Sequence, residues 1–179
     1  MKFPRSILAF GALWALAGCG STNIFGASET PPACPRATIV GELARLTEFR
    51  PGGGRDMVDV VYNAEVARVD FGCTYDKRVK VTMQTTVNLA IERGPADRDR
   101  RADITYFVAV LDPEQRVVAR ETFTVPVRFD GNFTRMQASE EIEQVIPLGG
   151  RSGAGYRVYV GFPLSPEQLE YNRARAPAR

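Results

Sequence analysis

Without histidine, side-chain acid–base chemistry in this 179-residue chain is left to carboxylates, lysine, cysteine and tyrosine. That excludes Ser-His-Asp and Cys-His machinery, and any zinc site that needs imidazole. Among the acids, Asp97 and Asp99 alternate as in a calcium loop, but Arg98, Arg100 and Arg101 stand between and after them and the turn glycine is missing. A solvated hairpin tip is the expected reading. Glu140, Glu141 and Glu143 could supply one half of a glycan-hydrolysing carboxylate pair, yet nothing in the spacing brings a partner across a cleft. An edge strand kept from aggregating by its charge accounts for them equally well. The run Gly149-Gly150-Arg151-Ser152-Gly153-Ala154-Gly155 is rich in glycine but precedes a strand-like segment. It lacks the lysine and the helix amino terminus that a phosphate loop needs, and is read as an inter-strand loop. Asn132-Phe133-Thr134 has the form of a glycosylation sequon. No catalytic residue, metal ligand or cofactor site is expected, and the chain is read as not an enzyme.

Composition fits one ordinary globular domain, with 44% hydrophobic and 25% charged residues. Lys2 and Arg5 precede an apolar stretch and belong to a segment expected to be removed. Taking these two from the 23 Lys and Arg leaves 21, against 21 Asp and Glu, so the remaining protein is near neutral. A nucleic-acid partner, which calls for a basic surplus on one face, is not expected.

The amino terminus is more specific. Lys2 and Arg5 are followed by Ile7–Leu16 (ILAFGALWAL), a length that suits a signal-peptide core and is too short to span a bilayer. It ends in Leu16-Ala17-Gly18-Cys19. This motif resembles the lipobox of bacterial lipoproteins, and the resemblance covers residues 1–20 only. It implies cleavage before Cys19, acyl chains on the Cys19 sulfur, and membrane lipid as a partner. Residues 1–18 are then the signal peptide, and 19–35 the lipidated terminus and a flexible tether of small, polar and proline residues. Gly20 in place of Asp points to the outer membrane, facing the periplasm. An ordinary secretory signal, with Cys19 as a bystander, is the alternative. Two acyl chains, at about 0.8 kcal/mol per buried methylene, give stable anchoring where one is reversible.

With Cys19 lipidated in an oxidising compartment, Cys34 and Cys73 remain as a pair. Two strand-like runs, Thr38–Phe49 and Met57–Phe71, flank Pro51-Gly52-Gly53-Gly54. The two cysteines are equidistant from this turn, so a hairpin would set them opposite each other at its open end. A structural disulfide within one hairpin is therefore expected. A redox-active pair would have the close CxxC spacing that is missing here.

Beyond the tether the period is two. Val79, Val81, Met83, Thr85, Val87, Leu89 and Ile91 alternate with Lys80, Thr82, Gln84, Thr86, Asn88 and polar Glu92 further on. The series Val58, Val60, Tyr62, Ala64, Val66 changes phase to Val69 and Phe71, which predicts a bulge near Ala67-Arg68. Ile104–Leu111 is apolar in both phases, as a central strand is. Further strands are read at Val117–Val125, Thr134–Leu148 and Tyr156–Phe162, with Glu121 out of pattern. The expectation is an all-β, seven-stranded, antiparallel immunoglobulin-like sandwich over residues 36–164. A small barrel is the alternative. Residues 165–179 are read as a short helix and basic tail, opened by the capping box of Ser165 and Gln168 with Pro166 between. Arg173, Arg175 and Arg179 favour the helix dipole, or alternatively touch anionic polymer.

The functional expectation is a non-catalytic, membrane-anchored envelope lipoprotein whose sandwich contacts a protein partner or assembles into an envelope complex. A ligand carrier with a pocket between the sheets is the second reading, and a carboxylate-based glycan hydrolase the third.

Overall fold

The computed structural model describes residues 32–77 and 79–175. The lipobox, Cys19, most of the tether and Arg179 lie outside the described residues. Eight strands form two four-stranded sheets: β1 (Arg36–Ile39), β2 (Arg45–Phe49), β3 (Val60–Asp76), β4 (Lys80–Arg93), β5 (Arg101–Leu111), β6 (Val117–Arg128), β7 (Arg135–Pro147) and β8 (Arg157–Gly161). One sheet has the order β1-β8-β5-β6, and the other β2-β3-β4-β7. One α-helix among the described residues, α1 (Pro166–Arg175), follows. The fold is an all-β sandwich. No helix among the described residues is long and apolar enough to cross a membrane.

The two-residue period builds the core. Val81, Met83, Thr85, Val87, Leu89 and Ile91 on β4 are all buried, and their polar neighbours lie on the other face. They meet Ile104, Tyr106, Val108 and Val110 from β5, with Val158 and Val160 from β8. Truncating a fully buried residue such as Leu89 to alanine would cost about 2–5 kcal/mol. On β5 the opposite phase is covered too, with Phe107 and Ala109 buried, as a central strand requires. The register between β3 and β4 shifts between Val66 and Arg68, placing the bulge at Ala67.

Four expectations need correction. The run 38–49 is two strands, because a 3-10 turn at Gly41–Leu43 carries the chain from one sheet to the other. β1 then pairs parallel to β8, Arg36 opposite Arg157, while β2 pairs antiparallel to β3, Arg45 opposite Glu65. Consequently the disulfide between Cys34 and Cys73 forms, but it joins the head of the first sheet to β3 of the second instead of closing a hairpin. The Asp97–Arg101 segment is also a crossover between sheets, since β4 and β5 belong to different ones. Val58 and Val79 are exposed at turns, although both fit the apolar phase.

Glu121 has a structural account. β6 is an edge strand, and residues Val117 to Thr122 are exposed on both faces. The phase that carries Glu121 becomes covered only from Phe123 and Val125 onward. A glutamate is therefore tolerated in a position that the pattern assigns to an apolar residue.

The capping box forms as expected. The Ser165 amide donates to Gln168 Oε1 at 2.9 Å, and the Gln168 amide donates to Ser165 Oγ at 3.2 Å. α1 lies against edge strand β2. Asn172 Nδ2 donates to the Arg45 carbonyl at 2.7 Å, Phe49 and Tyr171 meet edge to face, and Arg173 pairs with Glu42. The helix blunts an edge that would otherwise offer free carbonyls.

Candidate functional site

Register converts the polar phases of four strands into one surface. On the outer face of the second sheet, Arg45, Glu65, Ala90 and Gln137 form one row across β2, β3, β4 and β7. The next row is Thr47, Asn63, Glu92 and Arg135. Beyond the bulge follow Arg68, Asn88 and Ser139. Ala90 and the bulged Ala67 are small, and the sheet twists around them, which leaves a shallow trough of about 360 Å³ over the first two rows and an adjoining one toward Ser139.

The walls are ordered by cross-strand pairs. Arg45 and Glu65 approach to 3.2 Å on one side, and Arg135 and Glu92 to 3.1 Å on the other. Thr47 Oγ1 donates to Asn63 Oδ1 at 2.9 Å. Asn88 donates to Asp70 and accepts from Ser139, both at 3.1 Å. Exposed pairs of this kind contribute about 0–1 kcal/mol each, so their consequence is less stability than arrangement. They hold both signs of charge, an amide row and hydroxyls at fixed positions around an alanine floor. The trough is polar, mixed in charge and without an aromatic platform.

The residues singled out in the sequence are placed elsewhere. Glu141 and Glu143 lie on the same outer face, opposite Thr86 and Gln84, while Glu140 is in the opposite phase. All three are exposed on β7, an edge strand of the second sheet. Asp97 is buried rather than solvated. Its Oδ2 accepts from Arg93 Nε at 2.5 Å, and its Oδ1 accepts from the amides of Asp99 and Arg100 at 2.9 and 3.0 Å. Burial pushes the carboxyl up, but the Arg93 bond, the two amides and the Arg93 charge together hold it below the ordinary carboxylate range. It is a loop anchor. Asp112 does the same for the β5–β6 turn, accepting from the Arg116 amide and guanidinium.

The Gly149–Gly155 segment connects β7 to β8, with Gly153 packed so closely on Tyr75 that a Cβ would fall 2.1 Å from its hydroxyl. Among the described residues no group of three or more Cys, Asp and Glu side chains could hold a metal ion.

The space between the sheets is occupied. Val81, Met83, Val87, Ile104, Val158, Val160 and Phe162 are wholly excluded from solvent. Two polar atoms are stranded in this region: Tyr106 Oη and Gln144 Nε2 are buried without a hydrogen-bond partner among the described residues. Thr85 Oγ1 reaches Gln144 Oε1 at 3.3 Å.

Sequence reasoning found the polar phase of β4 but not the trough. Its members lie at 45, 65, 90 and 137, and only strand register makes them neighbours. The small residue Ala90 in an otherwise polar phase was the available signal. Comparison with protein-family models, with curated proteins and with solved structures found no match.

Proposed function

We propose that the chain is a lipid-anchored, non-catalytic protein of the bacterial envelope, and that the outer face of its second sheet is where it meets a protein partner. The lipobox at Leu16-Ala17-Gly18-Cys19 supports the anchor, with acyl chains on Cys19 holding the domain at the membrane, and Gly20 favours the outer membrane on its periplasmic side. The oxidising compartment that this implies agrees with the Cys34–Cys73 disulfide.

The observation that carries the interaction reading is the trough over Ala90, walled by the Arg45–Glu65 and Glu92–Arg135 pairs. Preordered charges of both signs around a small floor suit a polar protein surface, where they fix register and orientation more than they add affinity. The filled interior favours this outer face over a carrier pocket between the sheets.

Two substitutions test the two halves separately. Cys19→Ala should leave an unprocessed precursor with no acyl labelling. Ala90→Arg should fill the trough while leaving the sandwich intact by circular dichroism. A crosslinked partner present with the wild-type lipidated chain should be lost with Ala90→Arg. A partner captured equally by both would remove the trough from the proposal, and recovery of the bait alone would remove the partner.

A further inference from the structure

We infer that one end of the sandwich, formed by the β3–β4, β5–β6 and β7–β8 turns, rests on an anionic lipid surface. This inference rests on the proposed acylation of Cys19.

The course of the chain locates that end. β1 starts at Arg36, opposite Arg157 at the start of β8, and runs away from these turns. The residues that precede β1 therefore join the body here. Two contacts fix them: the disulfide to Cys73, and the bond from Tyr75 Oη to the Ala33 carbonyl at 2.6 Å. Tyr75 is close to the β3–β4 turn, where Asp76 pairs with Lys80. The thirteen residue steps from Cys19 to Pro32 span at most about 45 Å even when fully drawn out. An acylated Cys19 is thus tethered to the body at this end, and the chemistry of the end decides whether it is the one that meets the bilayer.

The chemistry of the end matches such a neighbour. The β3–β4 turn contributes Lys77 and Lys80 against Asp76. The β5–β6 turn contributes Arg116 against Asp112 and Glu114, and Glu114 also accepts the guanidinium of Arg151 from the β7–β8 turn. Arg36 and Arg157, at the starts of the two paired strands, add two more cations. Among the described residues, six basic side chains thus meet three acidic ones (Asp76, Asp112 and Glu114), on a protein whose mature charge is close to zero. Apolar side chains project among them: Val79 is 65% exposed at the β3–β4 turn, and Val117 is 61% exposed beside the β5–β6 turn. Basic side chains around an exposed aliphatic tip are the features that draw a surface to anionic headgroups and seat it at the headgroup boundary. The three turns are also braced together. The Leu148 amide donates to the Val79 carbonyl at 2.9 Å, Gly155 packs on Pro113, and the Arg151–Glu114 pair joins the β7–β8 turn to the β5–β6 turn. The end presents itself as one unit.

The single tryptophan of the chain, Trp14, lies in the segment removed on maturation, so one engineered tryptophan reports alone. The mature full-length protein, with acylation verified by mass spectrometry, is reconstituted into vesicles of brominated phosphatidylcholine with or without phosphatidylglycerol. In the Val79→Trp variant, fluorescence should be quenched several-fold more in the vesicles that contain phosphatidylglycerol. The difference should disappear in high salt and when Lys77→Glu and Lys80→Glu are added. The Met57→Trp variant, with its reporter at the opposite end, should remain unquenched in both. An acylated protein in which neither or both reporters are quenched overturns the orientation and leaves the anchor standing. A mature protein without acyl chains overturns the anchor, and this inference with it.

Discussion

Cys34 and Cys73 stand with their Cα atoms 5.8 Å apart and belong to different sheets, one just ahead of β1 and the other on β3. Their bridge therefore does more than close a loop. It fastens the point where the amino-terminal segment meets the body to the second sheet, so a pull on the terminus is borne by β3 as well as by the four residues of β1. Replacing both cysteines with serine should lower stability by about 2–4 kcal/mol, the usual range for a loop of about 40 residues. Denaturant titration with and without reductant checks this. Reductant should destabilise the wild type and leave the double variant unchanged.

Gly94 and Gly153 separate two kinds of tight packing. A Cβ on Gly94 would stand 2.1 Å from the Val60 carbonyl oxygen, and Gly94 also donates its amide to Val61. The obstacle is backbone on a paired strand and has nowhere to go. On Gly153 the obstacle is the end of the Tyr75 side chain. Gly94→Ala should cost about 1–3 kcal/mol or more, and Gly153→Ala less, with loss of the Tyr75–Ala33 bond. Equal unfolding midpoints for the two variants would contradict this reasoning.

The helix offers a local test. The amide of Gln168 is capped by Ser165 Oγ, and Asn172 covers two carbonyls of the β2 approach, those of Glu42 and Arg45. Ser165→Ala should cost about 1 kcal/mol. Because α1 contributes no buried residue, the loss should appear as faster amide exchange in 166–172 more than as a lower global midpoint. Uniform acceleration throughout the sandwich would show that the helix and the sheets unfold together.

How much of this was legible in the sequence follows from range. The capping box lies within four residues, the bulge at Ala67 shows as a phase change within β3, and the alternation of β4 is visible in one run; each is local, and each forms as its pattern predicts. The parallel pairing of Arg36 with Arg157 joins residues more than a hundred positions apart and leaves no local mark, so the run 38–49 looks like one strand where the chain in fact changes sheet. Asp97 departs from its local pattern for a related reason. Its alternating charges suggest solvent, but the arginine and amides that enclose it are set by a crossover, not by composition. The trough over Ala90 was invisible because it exists only once four strands are in register.

Asp97 yields a pH dependence. Folding holds its carboxyl below the ordinary value of 3.8, so its contribution is present in full above about pH 5 and fades as the pH falls through the ordinary value toward the folded one. Asp97→Asn should cost about 1–3 kcal/mol at neutral pH, since Arg93 loses its charged partner in a largely buried setting. The same variant should lose less stability than the wild type between pH 5 and pH 3, about one unit either side of a free aspartate. Denaturation midpoints measured across that interval decide it, and parallel acid sensitivities would refute the assignment.

The stranded hydroxyl of Tyr106 leads to the opposite kind of expectation. It lies in the core, stacked on Phe123, with no hydrogen-bond partner among the described residues. Burial, with the Glu140 charge adding to it, pushes its ionisation up to about 12, so it remains a neutral dipole that folding has stripped of water. An unsatisfied buried hydroxyl costs about 1–3 kcal/mol, whereas its removal takes nothing from the stack. Tyr106→Phe should therefore leave the protein as stable as before or more so, where truncating Tyr106 to alanine should cost about 3–5 kcal/mol, by analogy with Phe. A clear loss of stability in Tyr106→Phe would mean that the hydroxyl has a partner in solution. An ordered water bound to that hydroxyl is the first place to look, because Tyr106 Oη has no hydrogen-bond partner among the described residues.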